Sequence, residues 1–302
     1  MLSVVIPARN EEENIRAAAD AVFAVLFEAR IPFELIFVDD GSTDRTWDMI
    51  LAEKDRRPQV HGVSFSRNFG KEAAIYAGLA EARGECCAVM DADLQHPAEK
   101  LVEMYRLWED GYEVVEGVKR SRGKESGPHG MAARCFYRIM SSASGIDMEN
   151  ASDFKLLDRK AVDALLTIPE KNAFFRAISS WIGFRTTQIR YDVQDRRSGT
   201  SKWSTRALFR YALTNITAFT AAPMQVVTGL GIVVFVVGLV LSVIALVQKI
   251  AGISLGGFTT VIILLCFFSS IIMISLGILG YYLTKIYEEI QGRPRYIISK
   301  RV

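Results

Sequence analysis

The sequence predicts an α/β domain built on a mostly parallel sheet, followed by a hairpin of two membrane-spanning helices and a basic tail. Three observations carry this. Over residues 1–120, short runs rich in Val, Ile and Phe alternate with amphipathic stretches, the pattern of a parallel sheet covered by helices on both faces. Polar and charged residues gather just after the apolar runs, where such sheets bind ligands. Two stretches, 211–248 (38 residues) and 250–284 (35 residues), contain no charged residue, with Lys249 alone between them.

In order, residues 2–7, 34–38, 60–65, 86–90 and 113–117 read as strands, β-branched and aromatic for the most part. Residues 11–29, 44–55, 70–82 and 97–110 read as helices, the last with Pro97 in its first turn. The domain extends to residue 200, and residues 201–224, with Trp203, Arg206, Phe209 and Arg210, form an amphipathic segment suited to the headgroup plane. Residues 225–284 hold the two spans, near 226–247 and 258–280. Each exceeds the ~20 apolar residues that cross a bilayer, and buried core helices rarely run so far without a charged face. Residues 285–302 form the tail.

Charge sets the orientation. Residues 1–210 carry 30 basic and 32 acidic side chains, and residues 211–302 carry 6 and 2. The basic residues flank the spans on their outer sides, which places the domain and both termini in the cytoplasm of a multi-pass inner or plasma membrane protein. The first residues, MLSVVIPARNEEEN, lack the layout of a signal peptide. Half the chain is hydrophobic and the net charge is +2, which excludes disorder; 22 Gly and 4 Cys exclude collagen-like and disulfide scaffolds. Cys86, Cys87, Cys135 and Cys266 have no metal-ligand spacing. Nothing points to a nucleic-acid partner, and two spans without an intramembrane charge offer a transporter no pathway.

The strand ends carry the chemistry. Strand one ends in Pro7-Ala8-Arg9-Asn10-Glu11, strand two in Asp39-Asp40-Gly41-Ser42, strand three in Ser66-Arg67-Asn68-Phe69-Gly70-Lys71, and strand four in Asp91-Ala92-Asp93-Leu94-Gln95-His96. Turn formers account for Asp40-Gly41 and Asn68-Phe69-Gly70, but not for two acidic pairs and a cationic pair along one edge. The absence of G-x-G-x-x-G after strand one argues against a nicotinamide or flavin cofactor. Asp91 and Asp93, two residues apart at a strand end, can reach one hard divalent cation, with Gln95 adding a neutral oxygen.

The segments VVIPARNEEENI, IFVDDGSTDRT, FSRNFGKEAAIYAGL, MDADLQHPAE, ASDFKLLDR and RRSGTSKWS, with the two-span tail ending in GRPRYII, resemble the polyprenyl-phosphate glycosyltransferases. This GT-A-fold group of the family-two glycosyltransferases includes bactoprenol glucosyltransferases and dolichyl-phosphate mannosyltransferases. The segments follow the family's order over essentially the whole chain; Arg9 departs from it, standing where the family often has an aromatic.

The resemblance implies inverting transfer of a sugar from a nucleotide-diphosphate sugar, UDP-glucose by preference, to the phosphate of a membrane polyprenol. UDP-GlcNAc, other UDP-sugars and GDP-mannose remain open as donors, as does a membrane-anchored nucleotide-sugar binder without turnover. A processive polysaccharide synthase would carry Q-x-x-R-W and more spans, and neither is present. Asp91, Asp93 and Gln95 would hold Mg²⁺ or Mn²⁺ on the donor pyrophosphate. Pro7, Ala8, Glu11, Asp39 and Asp40 would form the nucleotide pocket, with Lys71 either a phosphate contact or a surface helix residue.

The acceptor phosphate is already anionic at neutral pH and needs cations more than a base. Lys119, Arg120 and Arg134 after strand five, and Arg197, Ser201 and Lys202 before the membrane, are the candidates, Arg134 being also a catalytic candidate. Lys119 and Arg120 read equally well as a solvated loop. Asp153 matches the family's proposed base or acceptor-site organiser, helix capping being its alternative. The resemblance also implies a homo-oligomer, a tetramer.

Overall fold

Why the short apolar runs become strands is plain from their burial: all seven residues of Leu2–Ala8 and of Phe33–Asp39 are buried, so each strand is covered on both faces. The computed structural model of the chain describes residues 1–120, 152–170, 174–192, 222–252 and 257–302. In order, the elements are β1 (Leu2–Ala8), α1 (Ile15–Glu28), β2 (Phe33–Asp39), α2 (Thr46–Arg56), β3 (Val60–Phe65), α3 (Lys71–Glu81), β4 (Cys86–Val89), α4 (Lys100–Glu109) and β5 (Val114–Lys119). Then follow β6 (Lys155–Asp158), α5 (Arg159–Thr167), α6 (Phe175–Trp181), β7 (Thr186–Tyr191), α7 (Ala222–Ile250), α8 (Phe258–Ile290) and β8 (Ile298–Arg301).

The strands form one sheet in the order β7-β5-β6-β4-β1-β2-β3-β8. β4, β1, β2 and β3 run parallel, so their carboxyl ends share one edge. The chain progresses outward in opposite directions from β1 and from β4, which puts a crevice between their ends. α1, α2 and α4 pack together on one face, α3, α5 and α6 on the other. α1 buries Ile15, Ala18, Ala19, Val22 and Leu26, a stripe at helical spacing. α3 lies so close to β1 that a Cβ on Gly78 would stand 2.2 Å from Val5 Cγ1.

Three strands were not expected. β6 enters antiparallel between β4 and β5, β7 extends the sheet beside β5, and β8 closes the far edge antiparallel to β3. The segment expected as a basic tail from residue 285 is therefore divided. α8 continues to Ile290, and the remainder, with Ile297 and Ile298 among its cations, folds back as a strand. The helix expected from Pro97 begins at Lys100.

By internal contacts the chain divides into residues Met1–Thr205 with Pro294–Val302, and residues Arg206–Arg293. In the second unit, α7 and α8 expose Ile232, Phe235, Met273, Ile274 and Leu276. Among the described residues, Phe267–Ile290 is long and apolar enough to cross a membrane, with a mean hydropathy of 1.7, and Val227–Leu241 is a shorter apolar helix. Residues 201–221 of the expected interfacial segment lie outside the described residues, and α7 already begins at Ala222.

Candidate functional site

The crevice edge is assembled by carboxylates that fasten backbone. Ala8 lies opposite Asp39 in the β1–β2 register, and the Asp40 N–H donates to the Ala8 carbonyl at 2.9 Å. Asp39, buried, accepts from the Ser42 N–H at 3.0 Å and the Ser64 hydroxyl at 2.7 Å. Asp40 accepts from the N–H groups of Phe69 (2.7 Å) and Gly70, and burial raises its carboxyl above the ordinary range. Gly41 has φ +60°, and a Cβ there would meet the Arg67 carbonyl carbon at 2.4 Å. Only glycine lets the loops after β2 and β3 touch in this way. Glu11 accepts from the Asn14 amide at 2.6 Å, and its own N–H donates to the Thr46 hydroxyl.

After β4 the chain turns tightly, with Leu94 at φ 59°. Asp93 accepts from the Gln95 N–H at 3.1 Å. The Asp91 N–H donates to His96 Nδ1 at 3.1 Å. Burial keeps His96 neutral by lowering its pKa, the state that leaves Nδ1 an acceptor. Its ring stacks on Phe154 at 4.8 Å, and Tyr191 meets both rings edge-on.

Beside this turn four charges interlock. Lys71 Nζ lies 2.6 Å from Asp91 Oδ1 and 2.8 Å from Asp153 Oδ2. Arg176 grips Asp153 with two bonds, Nε to Oδ1 at 2.7 Å and Nη2 to Oδ2 at 2.8 Å, the strong planar fork. Burial would raise the Asp153 carboxyl, but Lys71 and then Arg176 drive it far below the ordinary carboxylate range. Asp91 is likewise held low, burial being outweighed by Lys71, and the two carboxylates overcome burial to raise Lys71. Glu72, which accepts from the Phe175 N–H at 2.8 Å, is pushed up to about 7 by burial and by Asp153. Asp153 caps no helix; Asp158 does so for α5, accepting from the Lys160 N–H.

The structure thus brings Lys71, Asp91 and Asp153 together at the β4 end. Pro7, Ala8, Glu11, Asp39 and Asp40 lie along the neighbouring strand ends. Lys119 ends β5, and Arg120 pairs with the exposed Asp192 at 3.3 Å. Arg134, Arg197, Ser201 and Lys202 lie outside the described residues. Sequence reasoning passed over Arg176 and Glu72. Phe174 and Phe175 are core residues, Arg176 serves Asp153, and Trp181 at the end of the helix is exposed. The available signal was Arg176 directly following two aromatics, since an arginine that packs beside a core, here 30% exposed, calls for a carboxylate partner.

Among the described residues no three His, Cys, Asp or Glu groups stand together as a complete metal site. Asp91, whose Oδ1 faces the Lys71 ammonium at 2.6 Å, nevertheless offers with Asp93 the two carboxylates that suit Mg²⁺ or Mn²⁺ when water and phosphate oxygens complete the shell. The residues fit such an ion.

Residues 3–166 match the profile of glycosyl transferase family 2. The chain is 33% identical over 303 residues to a prophage-derived bactoprenol glucosyl transferase of Shigella flexneri, covering 99% of this chain and 97% of that protein. An uncharacterized glycosyltransferase of Synechocystis sp. is 35% identical, with 99% and 94% covered. Among solved structures, glucosyl-3-phosphoglycerate synthase of Mycobacterium tuberculosis, in complex with Mn²⁺, UDP and phosphoglyceric acid, superposes with a TM-score of 0.51 at 22% identity over 72% of this chain and 76% of that one. That likeness concerns the fold.

Proposed function

The chain belongs to glycosyl transferase family 2, and from that premise we propose that it transfers a sugar, glucose from UDP-glucose by preference, to the phosphate of a membrane polyprenol with inversion at the anomeric carbon. UDP-GlcNAc, another UDP-sugar or GDP-mannose is the alternative donor. The observation that carries the reading is the cluster of Asp91, Asp153, Lys71 and Arg176 at the crevice, on a chain similar from end to end to bactoprenol glucosyl transferases.

Each residue group has a task in that reaction. Pro7, Ala8 and Glu11 wall the nucleotide, and Asp39 and Asp40 shape the pocket by fixing the loops after β2 and β3. Asp91, Asp93 and Gln95 would hold Mg²⁺ or Mn²⁺, which supplies Lewis-acid neutralisation of the pyrophosphate leaving group. Lys71, ion-paired to both carboxylates, can turn from Asp91 towards a donor phosphate while Asp153 retains it.

Asp153 acts as the organiser of two cations. A carboxyl so strongly depressed is a feeble proton acceptor, and a phosphate acceptor that is already ionised requires no base. Lys119, Arg120, Arg134, Arg197, Ser201 and Lys202 are assigned to the acceptor phosphate by resemblance, Arg134 being also the catalytic candidate among them.

The apolar α7 and α8 support anchoring by two spans in the plasma membrane. That Pro294–Val302 and Met1–Thr205 share one compact unit supports an even number of crossings between them, and the positive flanks favour the cytoplasm for both termini. A homo-oligomer, a tetramer by resemblance, is proposed on the same footing.

The test is transfer by purified protein from a panel of radiolabelled nucleotide sugars to undecaprenyl phosphate, with Mn²⁺ and with excess EDTA. A labelled lipid formed from UDP-glucose and abolished by EDTA is expected. Donor binding without any product would leave a nucleotide-sugar binder, and activity undiminished in EDTA would remove the metal from the scheme.

A further inference from the structure

Behind the catalytic edge lies a second ion pair that the reaction does not touch. Lys155, on β6, is fully buried, and its partner Glu116 on β5 is buried at 5% exposure, directly opposite it in the strand register. The Lys155 ammonium donates to Glu116, and its other acceptors all belong to α6: the Ser179 hydroxyl at 2.7 Å, the Arg176 carbonyl at 3.2 Å and the Ser180 hydroxyl at 3.3 Å. Ser180 also donates to Glu116 at 3.0 Å, and Gln188 of β7 reaches its second oxygen at 3.4 Å.

A buried ion pair is a poor source of stability, since apolar residues of equal volume commonly do as well. What it supplies is direction. α6 has seven residues, too few to form or orient by itself, and apolar contacts alone leave its rotation about its axis loosely fixed. The alternation of the chain explains why this matters: Asp153 and Lys155 both meet α6, one through the Arg176 side chain and the other through the Arg176 carbonyl. Phe154 between them packs on His96 and Tyr191.

We propose that the Lys155–Glu116 pair is a positioning device for sugar transfer: it locks α6 so that the Arg176 guanidinium meets Asp153, and Asp153 in turn stations Lys71 beside Asp91. Lys155 and Glu116 are positioning residues, acting through Arg176. The proposal rests on the transfer reaction put forward above.

The experiment replaces the pair by neutral isosteres, Glu116→Gln with Lys155→Met, and separately removes the two hydroxyls, Ser179→Ala with Ser180→Ala, which leaves the ion pair intact. For the pair variant the expected result is a thermal midpoint within a few degrees of wild type, a 10- to 100-fold loss in kcat, as a misplacement near 1 Å produces, and a donor KM changed less than threefold. The hydroxyl variant should lose several-fold. Combined with Arg176→Ala, the pair variant should cost little more than Arg176→Ala alone. A kcat within twofold of wild type in both variants, or losses that add in full to that of Arg176→Ala, overturns the proposal.

A readout independent of turnover separates it from the transfer reading. Phenylglyoxal, followed by peptide mass spectrometry, should modify Arg176 slowly in wild type and much faster in either variant; equal rates overturn the lock. A wild-type protein inactive on polyprenyl phosphate overturns the reaction instead. Should the pair variant fail to fold, the hydroxyl variant decides by the same two readouts.

Discussion

Lys71→Met removes one cation from between two carboxylates while preserving the length of the side chain. The link to Asp153 is buried on the acid side, where the exposed fraction is 4%, but Arg176 remains to hold that carboxylate, so its loss should cost about 1–3 kcal/mol. The link to Asp91 is more open, at 28% and 41% exposed for acid and base, and contributes under about 1 kcal/mol after screening. The sum is roughly 1–4 kcal/mol, which for a domain of about 200 residues lowers the melting temperature by about 2–16 °C.

The same substitution leaves Asp91 without its cation, so a divalent ion should compensate better in the variant than in wild type. The assay is thermal denaturation of the detergent-solubilised protein, with and without millimolar Mn²⁺ and without donor. The expected result is a lowered midpoint in Lys71→Met and a larger Mn²⁺-induced rise than in wild type. An unchanged midpoint, or equal Mn²⁺ effects on both proteins, would refute the role given to Lys71 as the counter-ion of both carboxylates.

Asp93→Asn should abolish transfer while leaving the melting temperature within a few degrees of wild type, because it removes a ligand charge at an open turn; full activity would sink the metal assignment. Lys202→Ala should reduce kcat/KM for polyprenyl phosphate by about 10- to 150-fold, the effect of one charge-assisted phosphate contact, with donor binding much less affected; wild-type lipid kinetics would move Lys202 out of the acceptor site. Glu72 holds its proton in the folded chain up to about pH 7, whereas an unfolded glutamate loses it near 4.5. The native state is therefore the greater proton binder between those values, and the contribution of Glu72 to stability declines as pH rises through that window. Glu72→Gln, which keeps an oxygen for the Phe175 N–H, should flatten this part of the stability profile; parallel profiles from pH 4.5 to 7 would contradict it. Cys86 and Cys87 are fully buried, and burial pushes the Cys87 thiol up to about 11, so in a chain carrying Cys135→Ser and Cys266→Ser neither should react with a maleimide at pH 7 until the protein is denatured; rapid labelling of the native state would contradict their burial.

Local patterns made the parallel half of the sheet legible. β1 to β4 each combine a short run rich in apolar residues with a polar break, and Asp91-x-Asp93 follows a strand whose four residues are all buried. β6 was hidden because only four residues pair, one of them a lysine, and a charged residue in a buried strand defeats a reading based on hydrophobicity. Its partner Glu116 is 39 residues away in the chain, and no local signal joins the two. The cluster at Asp153 was half visible for the same reason. Asp91, Asp153 and Lys71 lie in recognisable segments, whereas Arg176 reaches its carboxylate from a helix whose aromatic neighbours imitate a membrane-surface stretch. β8 required knowing that the chain returns after two long helices, which periodicity cannot reveal.

That return has a consequence for biogenesis. β8 is synthesised after α7 and α8, yet it supplies the outer neighbour of β3: Gly62 and Val302 exchange both backbone hydrogen bonds, and Tyr296 stacks on Phe65 at 5.1 Å. While the ribosome is still making the apolar helices, the β3 edge is an unpaired strand, the kind of surface on which other chains add. Maturation of the sheet must then wait until both apolar helices have been made, so that a chain stalled within them would still lack the eighth strand of its sheet. Ile298–Arg301 thus completes the sheet only after α7 and α8 have been made, and until then the β3 edge is where a nascent chain would most need a chaperone.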